Sequence, residues 1–223
     1  MAYTLSGLQS RVQARIRDTS YSTSEITDYL NDTQRDIFNE YRLPFMEASQ
    51  NYALTVGVSD ITDGVGLPTN YVQALNLTNT YSGYEGVIPY IDTKQLDSLY
   101  PDGDDTTRNP ANPPRYWYFY GQTIRVFPKP DQAYTLTLRY YKEPTALSGA
   151  SDVPELPSEF EELLVVGAAY RILQVKDNYD QAAILQNKYD EILQKLVMRY
   201  SRAQAGTPTR MRINRNALGK AHF

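Results

Sequence analysis

The sequence predicts an α+β fold: a helical bundle of N- and C-terminal helix pairs, an inserted antiparallel β-domain between them, and an extended C-terminal arm. Three observations predict it. Apolar residues recur at helical spacing up to Leu43 and again after Pro157, the period drops to two between about Tyr52 and Lys142, and acidic residues stop at Glu191 while basic ones continue.

Leu5, Leu8, Val12 and Ile16 place one apolar stripe on a short helix that Thr4 caps, and Asp18-Thr19-Ser20 breaks it. Ser22 and Glu25 stand at capping-box spacing. Ile26, Tyr29, Leu30, Ile37, Phe38 and Tyr41 then carry a second helix to about Leu43-Pro44. Strand-like runs follow at 52–56, 71–77, 116–120, 123–127 and 134–141, with Gly121-Gln122 as a hairpin turn. Among them, Leu96 and Leu99 predict a short helix over 92–100, followed by a polar, proline-rich loop over 101–114. Pro157 and the acids Glu159, Glu161 and Glu162 open a helix that runs through Leu163, Val166, Ala169, Tyr170 and Leu173 to about Val175. After the break at Asp177-Asn178, Ala182, Leu185, Tyr189, Ile192, Leu193, Leu196 and Tyr200 line a last helix. Ala182 and Ala183 are small enough there to let it approach a partner closely. Amphipathic helix pairs this short do not stand alone, so the two are expected to pack together around the ends of an inserted β-domain. The divisions are 1–48, 49–150, 151–204 and the arm 205–223.

The 223 residues are 41% hydrophobic and 22% charged, a composition for one large domain or two small ones. The longest apolar stretch, from Leu163 to Ala169, is far shorter than the roughly 18 residues of a membrane span. Met-Ala-Tyr-Thr-Leu-Ser is not a secretory leader, so no membrane partner or secretion is predicted. The lack of cysteine excludes disulfides, thiolate zinc sites, iron–sulfur clusters and thiol nucleophiles. The single histidine, His222, leaves catalysis through a histidine base or ligand almost nothing to work with. No catalytic residue, cofactor or metal ligand is predicted. Asp102-Gly103-Asp104-Asp105, with Asp92 and Asp97 upstream, lacks the ligand spacing of a calcium loop and reads as a solvated acidic loop. Glu161 and Glu162 are adjacent on a helix, point about 100° apart, and read as helix N-terminal charges rather than an acid–base pair. Asp63-Gly64-Val65-Gly66 reads as a turn, and the sequons at Asn31 and Asn76 carry no weight without a leader.

Charge is segregated. After Glu191 come Lys195, Arg199, Arg202, Arg210, Arg212, Arg215 and Lys220 with no acid, a net of +7, whereas residues 1–191 hold fifteen basic and 26 acidic side chains, a net of −11. An acidic body with a basic, Gly/Pro-containing tail reads as a folded unit plus an arm that seeks a negative surface. A protein surface is favoured over nucleic acid, because base recognition needs a helix or sheet context that the tail does not offer. Twenty tyrosines against six phenylalanines suit interfaces, where a ring is buried and its hydroxyl stays wet. Tyr116, Trp117, Tyr118 and Tyr120 form the densest aromatic run; on a strand their rings alternate between two faces, either one core and one surface or both buried, and they are the candidate interface aromatics.

Three stretches carry a family likeness: Leu8 to Val12 through Ser24 to Ile37; Thr123 to Pro130 leading to Thr135 to Pro144; and Leu156 to Phe160 through Tyr170, then Ala182-Ala183 and Tyr189. In this order they resemble the neck proteins of tailed bacteriophages, the head-to-tail adaptors that dock beneath the portal. The resemblance implies a structural virion protein at the head–tail junction, assembled in the host cytoplasm. It implies a ring, typically dodecameric, between the portal and a downstream tail or nozzle protein, with double-stranded DNA passing through without sequence-specific binding. On that reading Arg199, Arg202, Arg210, Arg212, Arg215, Lys220 and Phe223 belong to a portal-binding arm. The alternative is a carbohydrate-binding tail or adhesion module that stacks sugar on the 116–120 strand. Neither reading needs an active site, and enzyme activity is not expected.

Overall fold

The computed structural model describes residues 3–83, 85–101 and 108–205, with side chains as far as Tyr200. Its first helix, α1 (Leu5–Ile16), buries the four residues of the predicted stripe, and the Thr4 hydroxyl accepts the Gly7 N–H. At the head of α2 (Thr23–Glu40) the capping box closes in both directions: Glu25 N–H donates to Ser22 Oγ (3.2 Å) and Ser22 N–H to Glu25 Oε2 (2.9 Å). The helix stops at Glu40, short of the expected Leu43, because Leu43 precedes proline and is held extended. A 3-10 turn, Pro44–Met46, leads into the strands.

Among the described residues there are six: β1 (Glu47–Ala53), β2 (Tyr71–Asn79), β3 (Gly86–Ile88), β4 (Tyr116–Tyr120), β5 (Thr123–Phe127) and β6 (Thr135–Lys142). One antiparallel sheet runs in the order β1-β6-β2-β3, and β4 and β5 form a separate hairpin. Gly121, at φ 62°, opens the hairpin's two-residue turn, where tight reversal requires a left-handed residue. The first strand lies earlier than its expected place at 52–56. Thr55 and Val56 leave the sheet in a turn pinned by Gly57 N–H on Pro130 O (2.8 Å), while the polar run from Glu47 to Asn51 pairs through its backbone. The short helix α3 (Thr93–Leu99) is present, capped by Asp92 Oδ1 on the Lys94 N–H (2.9 Å). After a second 3-10 turn, Ser158–Phe160, come α4 (Glu161–Val175) and α5 (Tyr179–Ala205), with Asp177 left-handed between them.

Helices from both ends of the chain share one core, so the chain is α+β with its helices gathered apart from the sheet. At the centre lies α4, whose Leu163, Leu164, Val165, Val166, Ala168, Ala169 and Ile172 are all fully enclosed, as a helix apolar on every side must be. Close approach depends on Gly167. A Cβ there would collide with Thr33 of α2 and stand 3.0 Å from the Tyr189 ring of α5. Of the two alanines expected to serve this purpose, Ala182 is buried and Ala183 is exposed. A second core lies between the inner face of the sheet and the β4–β5 hairpin, from Tyr52, Leu77, Leu136, Leu138 and Tyr140 to Trp117, Ile124 and Val126. Side chains of α2 hold the chain where it returns from the strands. Asn31 bonds both ways with the Leu147 backbone (3.0 and 2.8 Å), and Gln34 Nε2 donates to Thr145 O (3.0 Å). Among the described residues no helix is long and apolar enough to cross a membrane.

Candidate functional site

Helix α5 carries the chain to Ala205, where the basic segment expected as an arm follows in the sequence. Helix α5 has 27 residues against 15 in its partner α4, and its last turns rest on the two 3-10 turns instead. Tyr200 packs edge-on to Phe45 (5.1 Å between centroids) and Phe160 (6.4 Å), and Phe45 packs on Phe38 (5.7 Å). Beside this aromatic clamp Arg199 Nη1 donates to Glu159 Oε2 (2.7 Å). Arg199 and Arg202 therefore belong to helix α5 rather than to an extended arm. Arg210, Arg212, Arg215, Lys220 and Phe223, like His222 and the Asp102-Gly103-Asp104-Asp105 cluster, lie outside the described residues.

The adjacent carboxylates at the head of α4 take separate roles. Glu162 pairs with Arg15 of α1 and Lys188 of α5 (3.0 Å), tying three helices together at the surface. Glu161, expected as a helix N-terminal charge, is fully buried. Its Oε2 accepts the Tyr3 N–H (2.8 Å) while Oε1 has no partner. Burial raises its pKa above the usual carboxylate value, opposed by the Tyr3 N–H, the chain's amino terminus and Arg11. Nearer the α4–α5 turn, Arg171 Nη2 reaches Asp36 Oδ2 (2.5 Å), and the rings of Tyr170 and Tyr189 lie 5.5 Å apart. Burial pushes the Tyr189 hydroxyl well above its ordinary pKa, so it stays protonated as a core group. Val175, Tyr179 and Ile184 are exposed around this turn, an apolar surface that the helical period alone does not reveal.

The aromatic strand divides between core and surface. Trp117 is only 5% exposed, enclosed by Tyr90 (5.0 Å) and Phe119 (5.5 Å), so it supports the sheet and presents no ring to a partner. Tyr116 and Tyr118 are half-buried against a small third core of Ile91, Leu96 and Phe127. Tyr120 is 60% exposed, with the Arg125 guanidinium stacked 4.4 Å from its ring centre. A cleft of about 700 Å³ between α3 and the hairpin is lined by Tyr100, Tyr118, Tyr120, Arg125 and Lys129. Among the described residues no three His, Cys, Asp or Glu side chains gather where they could hold a metal ion.

The family model described as SU10 adaptor protein matches residues 3–212. The match takes in both helix pairs, every strand and the beginning of the basic tail. No curated protein matches the chain.

Proposed function

Since this chain belongs to the SU10 adaptor protein family, a structural adaptor of phage particles, we propose that its copies close into a ring between the portal and the next tail or nozzle protein. Double-stranded DNA passes through the bore, and the basic arm with the end of α5 docks on the portal. The virion position is then the neck, and the ring is expected to be dodecameric. The observation that carries this reading is the family match, which runs through the body and into the arm as one unit. Two kinds of surface support ring closure, because a head-to-tail ring joins unlike faces. One is the apolar surface at Val175, Tyr179 and Ile184, and the other is the polar outer face of the sheet. A body of net −11 repels the DNA backbone, which suits passage better than capture, while the +7 end seeks an acidic protein surface. The arm residues in this proposal are Arg199, Arg202, Arg210, Arg212, Arg215, Lys220 and Phe223.

The carbohydrate alternative loses its central ring, because Trp117 is enclosed by its neighbours. Deleting residues 206–223 tests the arm directly. Capture of the purified protein by portal rings is expected to fall to background, and undiminished capture would count against the docking role.

A further inference from the structure

The four-stranded sheet has one guarded edge and one open edge. At the guarded edge β3 is only three residues long and runs into Pro89. At the open edge β1 extends for seven residues in unbroken register with β6, without the shifts that interrupt β2 against β6. It contains neither lysine nor proline, the residues that commonly protect such edges. Leu54 N–H bonds Tyr134 O (2.8 Å), and the same register continues through Tyr52↔Leu136, Gln50↔Leu138 and Ala48↔Tyr140. The alternation of an antiparallel ladder therefore turns the N–H and C=O groups of Glu47, Ser49, Asn51 and Ala53 outward. All four residues are exposed, and no other described strand pairs with them.

A segment of this same chain fits that edge. Thr209, Arg210, Met211, Arg212, Ile213 and Asn214 alternate apolar or β-branched with polar residues, the pattern of a half-buried strand. β1 has the matching alternation, with Glu47, Ser49 and Asn51 on the open face and Ala48, Gln50 and Tyr52 toward the core. The end of α5 lies within reach of that edge. Tyr200 of α5 packs on Phe45, two residues before β1, and only a few residues separate the end of α5 from Thr209. Six residues of strand span about 20 Å, close to the length of β1.

We propose that the outer edge of β1 takes residues 209–214 of the C-terminal arm as an added strand. Met211 and Ile213 then lie beside Gln50 and Tyr52, and Arg210 and Arg212 stay on the open face near Glu47. The pairing gives the arm a fixed course along the sheet and leaves Arg215, Lys220 and Phe223 to reach onward. It stands apart from the portal-docking reading, since it needs no partner but this chain.

Hydrogen exchange on the full chain tests it, against a variant carrying both Arg212→Pro and Ile213→Pro. One of the two prolines must remove an arm N–H that faces β1, and neither touches the body. The amides of Ser49 and Asn51 are expected to exchange at least about tenfold faster in the variant, with those of β6 unchanged. Equal exchange in the two chains would overturn the pairing. The cysteine-free background also permits disulfide trapping between Asn51→Cys and Arg212→Cys, which face each other in this register, with Lys94→Cys on α3 and Arg212→Cys as the distant control. A product from the first pair alone supports the pairing, and its mass tells whether the strand comes from the same copy or an adjacent one. Equal products from both pairs, or none, would overturn it. Failure here with intact portal capture would leave the docking role standing, and protected β1 amides without portal capture would remove docking alone.

Discussion

The helical and strand regions differ in how completely each is enclosed. Helix α4 is surrounded by α1, α2 and α5, and ion pairs such as Arg15–Glu162–Lys188 and Lys176–Asp18 close the gaps between helices. Among the described residues the sheet is covered chiefly on one face, and of the other face Tyr141 packs on the helical core. Its inner residues Leu136, Leu138 and Tyr140 meet the hairpin, while Ser49, Asn51 and Arg139 face outward and one edge is open. The helices spend their apolar surface on internal packing, whereas the strands leave polar side chains and, along β1, backbone groups exposed among the described residues.

Substitutions on the two sides should therefore have unequal effects. The largest loss is expected at the helix crossing, where Gly167→Val forces a side chain against Thr33 and Tyr189 and costs about 3 kcal/mol. On the open face Ser49→Val is expected to change stability by less than about 0.5 kcal/mol. Denaturant midpoints of the two variants check the contrast, and equal losses would break it. At the seam, Asn31→Ala orphans both backbone groups of Leu147 and is expected to cost about 1–3 kcal/mol, measured in the same way. Removing the Ser22 side chain with Ser22→Ala breaks one capping box and is expected to cost about 1 kcal/mol.

The buried carboxyl at the head of α4 sharpens the comparison through pH. Because Glu161 has a higher pKa folded than unfolded, the folded chain holds its proton more tightly, and stability from this group declines as pH rises through the raised value. Glu161→Gln keeps an acceptor for the Tyr3 N–H and carries no charge. Its Tm relative to the parent is expected to rise between about pH 4 and about pH 8, and a constant difference would refute the burial argument. The smallest effect belongs to the exposed pair beside the aromatic clamp. Arg199→Ala is expected to lower stability by about 0–1 kcal/mol in thermal melts, since both partners are well solvated.

Helices were the most legible elements. Thr4, the Ser22–Glu25 box and Asp177 mark α1, α2 and the α4–α5 turn because capping chemistry is local and carries its own sequence signature. The β4–β5 hairpin was legible for the same reason, with a glycine between two alternating runs. β1 was displaced from its expected place because edge pairing uses backbone groups, to which side-chain periodicity is blind. Gly167 stood within an apolar run with nothing local to show that two other helices cross there. The stop of acids at Glu191 marks the candidate arm by charge alone and says nothing of the geometry at the end of α5. Neither the clamp around Tyr200 nor the burial of Trp117 follows from local sequence, because both depend on residues far away in the chain.

Electron microscopy of the purified protein mixed with portal rings tests the central claim most directly. The account predicts ring-shaped oligomers seated on one end of the portal with a continuous central opening. A protein that stays monomeric and leaves the portal rings bare would contradict it.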